Sequence, residues 1–302
     1  MTLLPSATEI VCALGLQDYL VGVSHSCNYP PAVANLPAMT STRVPGDRSS
    51  KEIDDYVRGH LTSNSALYDL DLAALEAAAP DVVVSQALCD VCAVATGDVL
   101  GAIESLPSKP QLIDLEPNTL DEVLDDCLRV GTMLGQAVRG EALVRELRER
   151  LATVAERSAQ LADDQRPKVA FLEWLEPPFN GGHWNPELVQ IAGGVDVLGN
   201  PGKPSVSLSW AEVAACEPDV MFVACCGFDQ ARALEDLQRV AQQEPCRSMA
   251  AAARLFVADG DAYFSRPGPR LVDGLEIMAH ALHPQLHPPA AHGECTAVPG
   301  TQ

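Results

Sequence analysis

The 302-residue chain is predicted to fold as two α/β lobes joined by one long helix, and three observations predict it. The first is a helical period over residues 139–161, where Leu143, Leu147, Leu151, Val154, Ala155 and Ser158 recur three or four apart. Glu141 with Arg145 and Glu146 with Arg150 stand four apart in the favourable order, and no proline interrupts the run. A helix of about 22 residues spans about 33 Å, the width of a small domain. The second observation is that strands and helices alternate on both sides of this rod. The third is an internal echo. Residues 72–84 and 210–222 each read as a helix, a Pro-Asp pair (Pro80-Asp81, Pro218-Asp219) and an apolar strand.

Taken in order, Leu3-Leu4 reads as a strand end and residues 5–14 as a helix that Ser6 caps in a box with Glu9. Residues 20–24 form a short strand that exits through His25-Ser26-Cys27-Asn28-Tyr29-Pro30-Pro31. Residues 36–68 read as an elaborated loop around a short helix, 70–78 as a helix and 80–85 as a buried strand. Residues 111–115 close the first lobe, and Thr119 with Glu122 forms a capping box for a helix to about Leu134. In the second lobe, 168–174 is a strand, 177–186 a long loop and 187–192 a helix ended by Gly193-Gly194. Strands follow at 218–223 and 255–258, then a last amphipathic helix over 269–282. The domains are therefore 1–118 (first lobe), 119–165 (linking helices), 166–284 (second lobe) and 285–302, a Pro-, His- and Ala-rich tail expected to be disordered.

The formal charge of −21 argues against nucleic acid, whose phosphates require Lys and Arg. No apolar run reaches the ~18 residues of a membrane span. The N-terminus Met-Thr-Leu-Leu-Pro-Ser lacks the basic and apolar regions of a secretory signal, and ten cysteines suit a reducing compartment. Both favour the cytoplasm as the sequence is written. A truncated N-terminus would make the protein periplasmic or exported.

In parallel α/β sheets ligands sit at the carboxyl ends of strands, so the strand-exit loops are the candidate site. They hold His25, Cys27, Cys89 and Cys92, the last two in a C-x-x-C. Such a set suits zinc or iron, but the thiols could equally pack as small apolar groups or form a redox dithiol. Aromatic residues gather in the same loops: Tyr29, Phe179, Trp184, Tyr263 and Phe264, with His183 beside them. Arg266, in a Pro/Gly turn, offers a fork for a carboxylate, phosphate or amide. No Walker loop, G-x-G-x-x-G or G-x-S-x-G occurs, and the chain is read as a binding protein, not an enzyme.

Residues 4–9 (Leu-Pro-Ser-Ala-Thr-Glu), Val21-Gly22-Val23-Ser24 with Tyr29-Pro30-Pro31, Pro177-Pro178-Phe179 with Gly193-Gly194, and 266–270 together resemble the vitamin B12-binding proteins of ABC importers. That resemblance covers nearly the whole chain to about Leu282. It implies two Rossmann-like lobes on a helical backbone, the class III periplasmic-binding-protein architecture. It also implies a cobalamin, or a related metal chelate, held between the lobes, with Tyr29, Phe179 and Arg266 at positions that line the ligand; Pro5 and Ser6, in the strand-exit loop over 5–9, are further ligand-binding candidates. Departures are visible. The carboxylates that dock importer proteins onto a permease fall at Ala73 and Ala211, with Glu76 and Glu212 close by. Flanking aromatics fall at Ser26 and Ser205. An ABC permease is thus a partner the resemblance implies and these positions weaken. A zinc or iron protein, and a thiol-dependent enzyme acting on a corrinoid, remain as alternatives.

Overall fold

The computed structural model describes residues 1–62, 66–86 and 96–299, the side chains of 61 and 96–98 excepted. The chain divides into two compact units: residues 1–48, 52–117 and 124–144, and residues 49–51, 118–123 and 145–302.

In the first unit, α1 (Pro5–Ala13) is followed by β1 (Thr40–Thr42), α2 (Ser50–Thr62), β2 (Tyr68–Leu70), α3 (Leu72–Ala78), β3 (Val82–Gln86), α4 (Thr96–Ser105) and β4 (Gln111–Leu115). Strands β3 and β4 pair in parallel, and Thr2 bridges Val84 in parallel. Strands β1 and β2 form an antiparallel pair. The stretch expected to be an elaborated loop around a short helix over 36–68 thus carries strand β1, a helix of 13 residues and the first residue of β2. The expected strand over 20–24 is reduced to one bridge, Val23 to Ala38. The expected cap at Ser6 does not form. Pro5 occupies the first helical turn, where its fixed φ is pre-organised, so Ser6 lies inside the helix and Leu4 stands at the N-cap. Glu122 does cap α5 (Leu120–Met133), accepting from Asn118 N and Thr119 N.

Helix α6 (Ala137–Ser158) contains 22 residues. Its first turns belong to the first unit, where Leu143 and Val144 pack on a core built around Ile10, Leu14, Ile113 and Val130. Arg139 Nη1 donates to Leu14 O at 3.0 Å. Its remaining turns belong to the second unit, where Leu151 and Val154 join that unit's core.

The second unit is built on β5 (Lys168–Leu175), whose apolar run is buried on both faces as a parallel sheet requires. It continues with β6 (Pro178–Asn180), β7 (Gly182–His183), α7 (Asn185–Ile191), β8 (Val195–Asp196), β9 (Asn200–Pro201), α8 (Trp210–Ala215), β10 (Val220–Val223), α9 (Gln230–Val240), α10 (Cys246–Ala252), β11 (Arg254–Ala258), α11 (Gly260–Tyr263), α12 (Leu271–Leu282) and β12 (Cys295–Val298). The sheet order is β12-β11-β10-β5-β6, with β8 also on β5. Strands β5, β10 and β11 run parallel; β6 and β12 are antiparallel additions. Phe171, Phe222 and Phe264 meet at centroid distances of 5.5 to 5.7 Å in the core.

Residues 285–299, in the tail expected to be disordered, are ordered. Strand β12 covers the edge of β11 in register from Leu255↔Val298 to Ala258↔Cys295. His287 is buried with Nε2 3.2 Å from Ser158 Oγ, and His283 Nε2 lies 3.1 Å from Gly193 O. Composition misleads here because tertiary burial, not local propensity, fixes the segment. Burial lowers the pKa of both histidines. Their folded pKa lies below the unfolded value of 6.5, so the unfolded chain takes up protons first as pH falls. Stability is then lost on acidification through that value. Thermal melts between pH 7 and pH 5 are expected to show the wild-type midpoint falling relative to that of the double variant H283Q/H287Q, which lacks this contribution. An equal slope in the variant would remove these histidines as the cause.

Candidate functional site

The loops at the strand exits of each unit carry the candidate site. In the first unit, Tyr29 is 44% exposed and precedes a cis peptide to Pro30. Pro5 is partly buried, while Ser6 is buried with its Oγ unpartnered among the described residues. His25 is exposed. Its Nδ1 lies 2.7 Å from Thr40 Oγ1, its ring 5.7 Å from Tyr68, and burial of part of the ring lowers its pKa. Cys27 is turned inward, 3.0 Å from Thr8 Oγ1 and 3.3 Å from Ser24 Oγ. Cys89 and Cys92 lie outside the described residues. Among the described residues no group of three or more His, Cys, Asp or Glu side chains is placed to hold a metal.

In the second unit, the expected long loop after β5 is instead two short strands, β6 and β7, with β7 in parallel register on β9. Phe179 is partly exposed on β6. Trp184 and Phe264, expected to line a ligand, belong to the core. Trp184 is 5% exposed, Phe264 is fully buried, and Trp184 Nε1 donates to Phe264 O at 2.9 Å. Arg266 is also withdrawn: it is 6% exposed, with Nη2 2.5 Å from Asp261 Oδ2. Tyr263 is partly exposed, under the guanidinium of Arg270 at 5.4 Å. Of the candidate aromatic groups in this unit, the partly exposed ones are therefore Phe179 on β6, His183 on β7 and Tyr263 on α11.

His183 is unusual. Its φ is +50°, a left-handed value that costs a non-glycine residue about 1 to 3 kcal/mol and persists only where the surroundings enforce it. They do so here from both sides. His183 N donates to Lys203 O at 2.7 Å, and Gly202 N donates to His183 O at 3.0 Å. The ring stacks on Trp184 with centroids 5.4 Å apart. Gly182 must be glycine, since a Cβ there would lie 2.3 Å from Ser205 N.

Sequence reasoning missed the polar network beneath this strand. Glu173 Oε1 accepts from Gly182 N at 3.2 Å and from Asn185 Nδ2 at 2.5 Å, and burial raises its pKa. A carboxylate inside Phe-Leu-Glu-Trp-Leu was the available signal, because such a residue in a buried strand needs partners. Asp196 Oδ1 accepts from Leu198 N and Gly199 N, while Oδ2 is buried without a partner among the described residues. Burial pushes the Asp196 carboxyl up to about 6 from 3.8. A raised carboxyl stabilises the fold relatively below its folded pKa, and that stability is lost as pH rises through about 6. Asp196→Asn keeps the Oδ1 acceptor and removes the charge, so it is expected to gain about 1–2 kcal/mol at pH 8 and little at pH 4. Urea denaturation at both pH values checks this; equal effects at the two would contradict it.

Two α/β units, each built on parallel strands and sharing one long helix, define the architecture of bilobal solute receptors. The chain belongs to the periplasmic binding protein family, whose profile matches residues 2–263. It has the class III periplasmic-binding-protein fold. It is 25% identical over 280 residues to the vitamin B12-binding protein of Vibrio cholerae serotype O1, covering 91% of this chain and 86% of that protein. Among solved structures, the periplasmic heme-binding protein RhuT from Roseiflexus sp. RS-1 matches with a TM-score of 0.67 at 21% identity, over 94% of this chain and 97% of that one. The periplasmic vitamin B12-binding protein BtuF of Vibrio cholerae matches with a TM-score of 0.61 at 22% identity, over 93% and 94%. The relatives are binding proteins by name. The expected cytoplasmic location finds no support in a family described as periplasmic. No helix among the described residues is long and apolar enough to cross a membrane.

Proposed function

We propose that this chain binds a cobalamin, or a closely related metal tetrapyrrole, as a solute-binding protein. The observation that carries the proposal is the likeness to a vitamin B12-binding protein over 91% of the chain. Aromatic residues exposed in whole or part add support: Tyr29 in the first unit, Phe179 on β6 and Tyr263 on α11 in the second. Rings of this kind suit a large flat ligand with an apolar face. Pro5 in the first unit and His183 in the second are further partly exposed candidates, whereas Ser6, Trp184, Phe264 and Arg266 are buried within their own units.

Delivery to an ABC permease is the finer part of the reading. Ala73 stands on α3 and Ala211 on α8, where a docking carboxylate would be expected. Glu76 is exposed, but Glu212 is bound into the cap of α8, its Oε2 accepting from Ser209 N at 2.7 Å and Oγ at 2.8 Å. A permease contact, if made, rests on Glu76 more than on Glu212. The Cys/His set of His25, Cys27, Cys89 and Cys92 is a separate zinc or iron candidate. Elemental analysis of purified protein after growth with cobalamin tests both readings. Cobalt near one atom per chain, with visible absorption, is expected. Zinc or iron without cobalt, lost on Cys89→Ser, would replace the tetrapyrrole with the metal-ion reading.

A further inference from the structure

His183 combines four features that packing alone does not require: a left-handed backbone, partial exposure, a stack on a buried tryptophan, and a ring nitrogen, Nδ1, buried without a partner among the described residues. Backbone strain of this kind gathers at ligand sites, where the surroundings hold one geometry. Here those surroundings are specific. Glu173 fixes Gly182 and Asn185 on either side of the His183-Trp184 pair, and Trp184 is anchored on Phe264 O. The ring stands on β7, which follows directly on β6, and β6 pairs with Leu172–Leu175, the carboxyl half of β5, the half of a parallel strand from which ligands of α/β units are received.

The unpartnered nitrogen decides what the ring can offer. A buried N–H with no acceptor is costlier and rarer than a buried lone pair with no donor. Nδ1 therefore carries the lone pair. Partial burial keeps the imidazole neutral, and a neutral ring with a bare Nδ1 has its proton on Nε2. Coordinating a metal through Nε2 would require that proton to move to Nδ1, where a metal-bound histidine needs an acceptor and this one has none among the described residues.

We propose that His183 is a specificity residue that donates Nε2–H to an acceptor oxygen on the periphery of the bound chelate, with Glu173 as its positioning residue. The acceptor is an amide carbonyl if the ligand is a corrinoid and a carboxylate if it is a porphyrin. His183 does not bind the metal. This rests on the tetrapyrrole reading above.

The test titrates wild type, H183A, H183Q and E173A with cyanocobalamin and, separately, with hemin, and records visible spectra with aquocobalamin and hemin. The ligand that wild type prefers identifies the acceptor. H183A is expected to bind it about tenfold more weakly, as loss of one hydrogen bond to a ligand implies. H183Q, which retains an N–H donor, recovers part of that loss. E173A weakens binding without altering which ligand is preferred. Wild-type and H183A spectra are expected to coincide once saturated. Unchanged affinity in H183A overturns the proposal and leaves the tetrapyrrole reading intact. A wild-type spectral shift that H183A abolishes overturns it in favour of an axial bond. Failure of wild type to bind either probe brings down the tetrapyrrole reading itself, and the proposal with it.

Discussion

Arg150→Ala is expected to destabilise the second unit by about 3–5 kcal/mol, the range for removing one partner of a buried ion pair. Arg150, on α6, places Nη2 2.6 Å from Asp273 Oδ1 and 2.8 Å from Glu276 Oε2, with Nε 2.9 Å from Glu276 Oε1. The Asp273 side chain is 8% exposed. Without the guanidinium, two carboxylates one helical turn apart on α12 would face each other at a largely dry interface. The hydrogen bonds to Glu276 and Asp273 keep the arginine charged well beyond ordinary conditions, so the pair does not titrate away at high pH. Arg150→Lys should recover only part of the loss, because an ammonium cannot form the two-pronged contact with Glu276. Arg150→Met combined with D273N and E276Q should recover more, since the repulsion goes with the charge. Equilibrium denaturation of the three variants checks the order. A loss below about 1 kcal/mol in Arg150→Ala, the value of an exposed pair, would contradict it.

Trp184→Ala is expected to cost about 3–5 kcal/mol, as large-to-small changes of buried aromatics do. The change empties a site in the core that holds Phe171, Leu188 and Phe264, and it orphans the carbonyl of Phe264. Trp184→Phe keeps most of the ring and loses only the hydrogen bond, so about 1–3 kcal/mol is expected. The two variants also separate packing from ligand contact. If Trp184 acts from beneath the site, Trp184→Phe retains ligand affinity within a few-fold. Affinity lost in that variant at unchanged thermal stability would show that the indole touches the ligand after all.

Elements set by local pattern were readable from the chain. The rod expected over 139–161 is α6 at Ala137–Ser158, because a strict period of three and four leaves no other regular structure. The echo of helix, Pro-Asp and strand is α3 with β3 and α8 with β10, one in each unit. Elements set by distant partners were not readable. Strands β6, β7 and β9 are two or three residues long, and pairing alone defines them. Strand β12 exists because β11 offers an open edge and because His287 finds Ser158, 129 residues earlier.

The site shows the same division. The aromatics expected in strand-exit loops include Phe179, which lies on β6, and Tyr263, which lies on α11, and sequence does not say which way a ring turns. Phe179 and Tyr263 remain partly exposed, whereas Trp184 and Phe264 face inward. Arg266 looked like a free fork in a rigid turn, and Asp261, five residues before it, takes its charge. Glu173 went unnoticed because its partners, Gly182 and Asn185, are nine and twelve residues away with no motif linking them.

Titration calorimetry of the purified chain with cyanocobalamin tests the central claim most directly. Saturable binding at one ligand per chain, weakened in Tyr29→Ala and in Phe179→Ala, is the predicted result. No heat and no retained colour with cyanocobalamin or hemin would contradict it.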